Sequence, residues 1–124
     1  TAGFQSGPYM SVYYATKAYV LSFSDGLAEE MAGTGVTVTC LAPGPTRTAF
    51  ADRADMDDAR LMDLGATMTP AAVAAAGYDA FRAGRILEIP GWPNKVGAIL
   101  TRITPRALAR KVTAWLNGGA GGAR

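Results

Sequence analysis

The 124-residue chain has no histidine, a single cysteine and no acidic residue after Glu88. Without histidine, His-based nucleophile triads and most zinc sites are excluded, and no metal is expected. One cysteine, Cys40, cannot form an internal disulfide. It lies in an apolar alternating run, where a buried small hydrophobe is the ordinary reading against a reactive thiol. A net charge of +2 is too small to argue for nucleic acid. No apolar run approaches the ~20 residues that a membrane span needs. The opening Thr1-Ala2-Gly3-Phe4 lacks an initiator Met, a charged n-region and an apolar h-region. It reads like the middle of a longer protein, with a cytoplasmic location expected. What remains is 49% apolar, moderately charged and rich in glycine, the composition of a globular domain.

Gln5-Ser6-Gly7-Pro8 is turn chemistry. From about Ser11 to Met31 the pattern is helical: Val12, Ala15, Tyr19, Phe23, Leu27 and Met31 recur at steps of three or four. A second face carries Tyr13, Lys17, Val20, Leu21, Ser24 and Ala28, so the helix is expected to pack on two sides. Gly33-Thr34-Gly35 ends it. Residues 36–42 are a β-branched run of strand length, stopped by Pro43-Gly44-Pro45. Residues 49–68 show no clean period and read as a flap with short helices. Thr69-Pro70 opens a helix to about Ala83, which Gly84 closes, and residues 85–90 read as a short strand. Helix, strand, helix, strand implies a βαβ unit with parallel strands. Beyond it Lys95, Arg102, Arg106 and Arg110 share one helical face. Val96, Ile99, Leu100, Ile103, Leu108, Val112 and Trp115 supply apolar ones. Pro105 divides this stretch into two short helices. Residues 118–124 read as a flexible tail.

Tyr13 and Lys17, four apart near a helix start, project from the same face. An ammonium beside a phenol stabilises the phenolate and lowers its pKa from near ~10, which suits the phenol to general acid–base work. Tyr14, three from Lys17, is not excluded by geometry. Pro43-Gly44-Pro45-Thr46-Arg47-Thr48 directly follows a buried strand, and ligands of doubly wound sheets bind beyond strand carboxyl ends. Gly44 permits close backbone approach, and Thr46 and Thr48 offer hydroxyls.

These two segments together resemble the short-chain dehydrogenase/reductase family. Tyr13-Tyr14-Ala15-Thr16-Lys17 matches its Tyr-x-x-x-Lys motif, and the following helix, the strand and Pro43-Gly44-x-x-x-Thr48 come in the family's order. The resemblance is strong over residues 1–50, weaker over 68–91 and only suggestive beyond Gly91. It implies an α/β fold, the C-terminal portion of a Rossmann-type doubly wound parallel sheet occupying residues 1–91. A basic amphipathic helical extension follows at 92–117. The implied activity is carbonyl–alcohol interconversion with NAD or NADP. The residues that choose between the two cofactors lie outside the chain.

The resemblance selects Tyr13 over Tyr14 as the acid–base residue, with Lys17 tuning it and holding the nicotinamide ribose. Pro43 and Gly44 border the cofactor, Thr46 holds the carboxamide end and Thr48 lies near the pyrophosphate. The family's glycine-rich loop and catalytic Ser fall before Thr1, so the chain alone is expected to be inert. Pro8, Met10, Phe50, Met56 and Met62 are the expected substrate lining, apolar and adaptable, hence a lipophilic ketone, aldehyde or alcohol. A homodimer or homotetramer through the Tyr- and Lys-bearing helix is the implied assembly. The alternative is a non-catalytic homologue serving as a binding or dimerisation module, disfavoured because it has no chemical reason to keep both Tyr13 and Lys17. The basic end is expected to fold on the body with a solvated face, ahead of contact with an anionic membrane surface.

Overall fold

The computed structural model describes residues 1–47 and 67–117. Thr48, Phe50, Met56, Met62 and the expected flap and tail lie outside the described residues.

A 3-10 turn at Ala2–Phe4 leads through the Gln5–Pro8 turn into α1, Ser11–Glu30. The helix ends where expected, with the Met31 N–H donating to the Leu27 carbonyl and Gly33 and Gly35 at φ +77° and +83°. Strand β1 (Cys40–Leu41) follows, then α2 (Pro70–Arg82), β2 (Leu87–Glu88), α3 (Trp92–Ile103) and α4 (Arg106–Leu116). The Thr69 hydroxyl accepts from the Ala72 N–H at 3.2 Å, and proline follows it in the first turn, as the sequence predicts for a helix start. Gly84, at φ +67°, closes α2, with the Arg85 N–H reaching back to the Ala80 carbonyl.

The two strands pair in parallel, Cys40 with Leu87 and Leu41 with Glu88, as the βαβ reading requires. They are far shorter than the seven- and six-residue runs in the sequence. The Cys40 N–H bonds Ile86 at 2.7 Å and the Ala42 N–H bonds Glu88 at 2.8 Å, while residues 36–39 form no ladder among the described residues. A β-branched run has strand geometry only where a neighbour supplies hydrogen bonds, and among the described residues β1 has one neighbour, over two residues. Val36 is consequently exposed.

The two-sided character of α1 is corrected in one respect. Its inward contacts are made by Tyr14, which is buried, with Leu21, Ser24 and Ala28 half-buried. The apolar stripe through Val12, Tyr19 and Phe23 lies on the open side, with Tyr19 and Phe23 stacked 6.0 Å apart. Small residues make the inward approach close. A Cβ on Gly3 would sit 2.8 Å from the Lys17 carbonyl oxygen, so the 3-10 turn lies directly on the helix backbone.

Glu88 is buried between Arg85 and Lys95, each 3.3 Å away, which ties the start of α3 to β2. Among the described residues the buried hydrophobic core consists of Tyr14, Val73, Ala80 and Ala98. So small a core does not offset the conformational entropy of ordering the described residues. Residues 1–124 expressed alone are therefore expected to give a broad, non-cooperative melt by circular dichroism. A sharp sigmoidal transition would show that the core suffices.

Candidate functional site

Helix α1 brings Tyr13 and Lys17 together. The Lys17 ammonium lies over the Tyr13 ring, 5.3 Å from its centroid. One helical turn separates the two residues, so a cation and a π-face meet without any distortion of the backbone. Tyr13 is half-buried and Lys17 exposed, so both are reachable from outside. Burial raises the Tyr13 phenol above the ordinary tyrosine value. The sequence reading expected Lys17 to lower it. Here the ammonium lies over the ring and desolvation by burial dominates. The phenol is therefore protonated throughout the neutral range.

Tyr14 plays a different part. It is 6% exposed, and its hydroxyl donates to the Asn117 Oδ1 at 3.1 Å, while the Asn117 Nδ2 donates to the Pro8 carbonyl at 3.0 Å. The adjacent tyrosines meet edge to face, 5.9 Å between centroids. Tyr14 is a clasp between α1 and the end of α4.

The second half of the site is the turn after β1. Pro43, Gly44 and Thr46 are half-buried there, and Thr46 donates its hydroxyl to the Gly44 carbonyl at 3.1 Å and bridges in parallel to Met68. The first residues of the chain join the two halves: Gly3 lies on the backbone of Lys17, and the Thr1 nitrogen donates to the Pro43 carbonyl at 2.5 Å. Gly44 does permit a close approach, but the group that approaches is Asn94. A Cβ on Gly44 would stand 2.1 Å from the Asn94 Oδ1. Asn94 is buried at the start of α3 and donates to the Pro90 carbonyl at 2.9 Å. On this side of the turn the space kept open by glycine is filled by protein. The donors of Lys17 and the Tyr13 phenol fit ribose hydroxyls and a carbonyl oxygen.

Of the expected substrate residues, Pro8 lines a cavity of about 640 Å³ with Gln5, Ser11 and Tyr14 and with Arg106 and Arg110 of α4. Met10 is half-buried at the N-terminal end of α1. Neither Tyr13 nor Lys17 lines that cavity. Sequence reasoning missed Asn94 and Asn117, whose partners are remote in sequence and leave no local signal. It also missed Tyr9, a non-glycine residue at φ +69° two residues before α1. Strain of this kind concentrates near functional sites.

Residues 1–59 match the profile of the family described as short chain dehydrogenase. An uncharacterized oxidoreductase of Escherichia coli is 46% identical over 47 residues, which are 38% of this chain and 16% of that protein. A diacetyl reductase, (S)-acetoin forming, of Staphylococcus epidermidis is 39% identical over 62 residues, 50% of this chain and 24% of that protein. An uncharacterized oxidoreductase of Staphylococcus aureus is 37% identical over 62 residues, 50% of this chain and 27% of that protein. The chain thus spans only about a quarter or less of the curated relatives it matches. No solved structure gives a significant match.

Proposed function

Because residues 1–59 belong to the short chain dehydrogenase family, we propose that the protein carrying this chain interconverts a carbonyl and an alcohol with NAD or NADP. Tyr13 is the acid–base residue and Lys17 its partner. The observation that carries this reading is the placement of the Lys17 ammonium over the Tyr13 ring on an accessible face of α1.

The nicotinamide, when bound, supplies hydride to the carbonyl carbon or takes it from the alcohol. Everything else falls to the chain's own groups. The protonated Tyr13 phenol donates its proton to the oxygen that becomes the alcohol, and in the reverse direction the phenolate takes that proton. Lys17 presents three N–H donors to ribose hydroxyls and holds a positive charge beside the phenol. The Thr46 hydroxyl, presently turned to the Gly44 carbonyl, is the group for the carboxamide end. Thr48 is assigned to the pyrophosphate by the family motif alone. Pro43 and Gly44 shape the turn that carries them. The apolar substrate lining expected from Pro8, Met10, Phe50, Met56 and Met62 favours lipophilic substrates; the relative named for diacetyl makes small ketones the other class to assay.

The test is nicotinamide absorbance with each cofactor over a series of ketones and alcohols. A phenol raised by burial fixes the sign of the pH dependence. Reduction is expected to be flat through neutral pH and to fall as pH rises through the Tyr13 value, while oxidation rises over the same window. Lys17→Met is expected to raise the cofactor KM and to move both limbs to higher pH. A Lys17→Met enzyme with unchanged KM and unshifted limbs would remove Lys17 from the mechanism.

A further inference from the structure

Helix α3 is built inside out. Its inward positions are Asn94 and Ala98, both buried, and the half-buried Thr101. Its outward positions are Trp92, Ile99 and Ile103, which are 76%, 61% and 74% exposed. Helix α4 repeats the arrangement: Thr113 is buried, whereas Leu108, Val112 and Trp115 are exposed. A helix that docks on a body through hydrophobic burial does the reverse. Leu100 of α3 and Leu108, Val112 and Leu116 of α4 line one groove of about 470 Å³, which the inward Asn94, Ala98 and Thr101 line as well.

The charge on the two helices has one sign; Lys95 is paired with Glu88 and Arg106 and Arg110 line the cavity beside Tyr14, which leaves Arg102 and Lys111 as the cations beside the apolar positions. Lys95, Arg102, Arg106, Arg110 and Lys111 are the charged residues of α3 and α4, and no acid follows Glu88. Lys95 sits three residues from Trp92 and four from Ile99, and Lys111 three from Leu108 and four from Trp115. The chain's two tryptophans are Trp92 and Trp115, one near each end of the helix pair. We propose that α3 and α4 lie on an anionic phospholipid bilayer, with the apolar face in the headgroup boundary and Arg102 and Lys111 on lipid phosphates. Tryptophan with a single-sign basic border is the pattern of an interfacial helix. No described helix is long and apolar enough to cross a membrane. A second copy seated on the same face would bring Arg102 and Lys111 of the two copies together, like charge against like. These residues lie outside the 1–59 match, so the inference stands apart from the proposed reaction.

The experiment is flotation of the protein carrying this chain with vesicles of phosphatidylcholine alone or mixed with phosphatidylglycerol. Flotation is expected only with the anionic vesicles, and it is expected to fall as salt rises. Arg102→Gln and Lys111→Gln should each lower the partition coefficient about fivefold. Trp92→Ser combined with Ile99→Ser should remove flotation. If that pair fails to fold, the two cation variants, at exposed positions, carry the test. The proposal is overturned by absence of flotation with anionic vesicles, or by equal flotation of the wild type and the cation variants. It is also overturned by a lipid-free dimer that the Trp92→Ser/Ile99→Ser variant converts to monomer, which would give this face to a second copy.

Discussion

Replacing Tyr13 by phenylalanine is expected to lower kcat for carbonyl reduction by about 10²–10⁴-fold in the protein carrying this chain, the range for removing a general acid. The change keeps the ring, so the contact with the Lys17 ammonium survives and the loss isolates the proton. The cofactor KM should move little. Tyr14→Phe tests the opposite assignment. Its hydroxyl serves Asn117, so the expected cost is about 1–2 kcal/mol of stability from a half-buried acceptor left unpaired. Turnover per folded molecule should hold. Steady-state kinetics beside a urea titration separates the two variants. A Tyr14→Phe enzyme that is folded and dead, next to an active Tyr13→Phe enzyme, would reverse the roles.

Gly7→Ala is expected to be the most damaging small substitution in the described residues, at about 2–4 kcal/mol. A Cβ there would stand 2.0 Å from the Tyr14 Cδ2 and 2.2 Å from its Cγ. The overlap is at the root of the ring, which no rotation of a side-chain end relieves, so the ring must leave. With it go the bonds from Tyr14 to Asn117 and from Asn117 to Pro8. Chemical unfolding of Gly7→Ala, Tyr14→Ala and the double variant gives the coupling directly. The double variant should lose much less than the sum, and strict additivity would mean that glycine and ring do not press on each other. Tyr14 also carries a pH signature. Burial raises its pKa in the folded state, so its contribution to stability is intact below about pH 10. It is lost as pH rises through the raised value, and Tyr14→Phe should lack that alkaline limb.

Much of this arrangement was legible because it is local. The bounds of α1 and α2, the parallel pairing and the helix break at Pro105 follow from periodicity, from the Thr69-Pro70 cap and from proline itself. The Tyr13–Lys17 contact follows from four-residue spacing on a helix. What the sequence misplaced depends on partners. Residues 36–39 have every strand propensity and no ladder among the described residues. Val12 and Phe23 have helical periodicity but face outward, because glycines at 3 and 7 bring the 3-10 turn onto the other side. Gly44 was readable as a point of close approach, but nothing local says that Asn94, fifty residues on, is what approaches. The expected depression of the Tyr13 pKa assumed an ammonium at the phenolic oxygen, and the helix sets it over the ring.

The clasp between Tyr14 and Asn117 closes a loop of 103 residues, whereas the strand pair closes one of 47. Loop-closure entropy grows only slowly with length, so the stability of the clasp is little reduced by its span. Its timing is another matter. Helix α1 can form on the scale of microseconds from its own residues, but Asn117 follows Tyr14 by 103 residues and a ribosome adds only ~5–20 residues per second. During synthesis the helix bearing Tyr13 and Lys17 waits for seconds with Tyr14 unclasped and its apolar stripe open. That interval, rather than the finished fold, is when this chain is most exposed to misassociation and most in need of a chaperone.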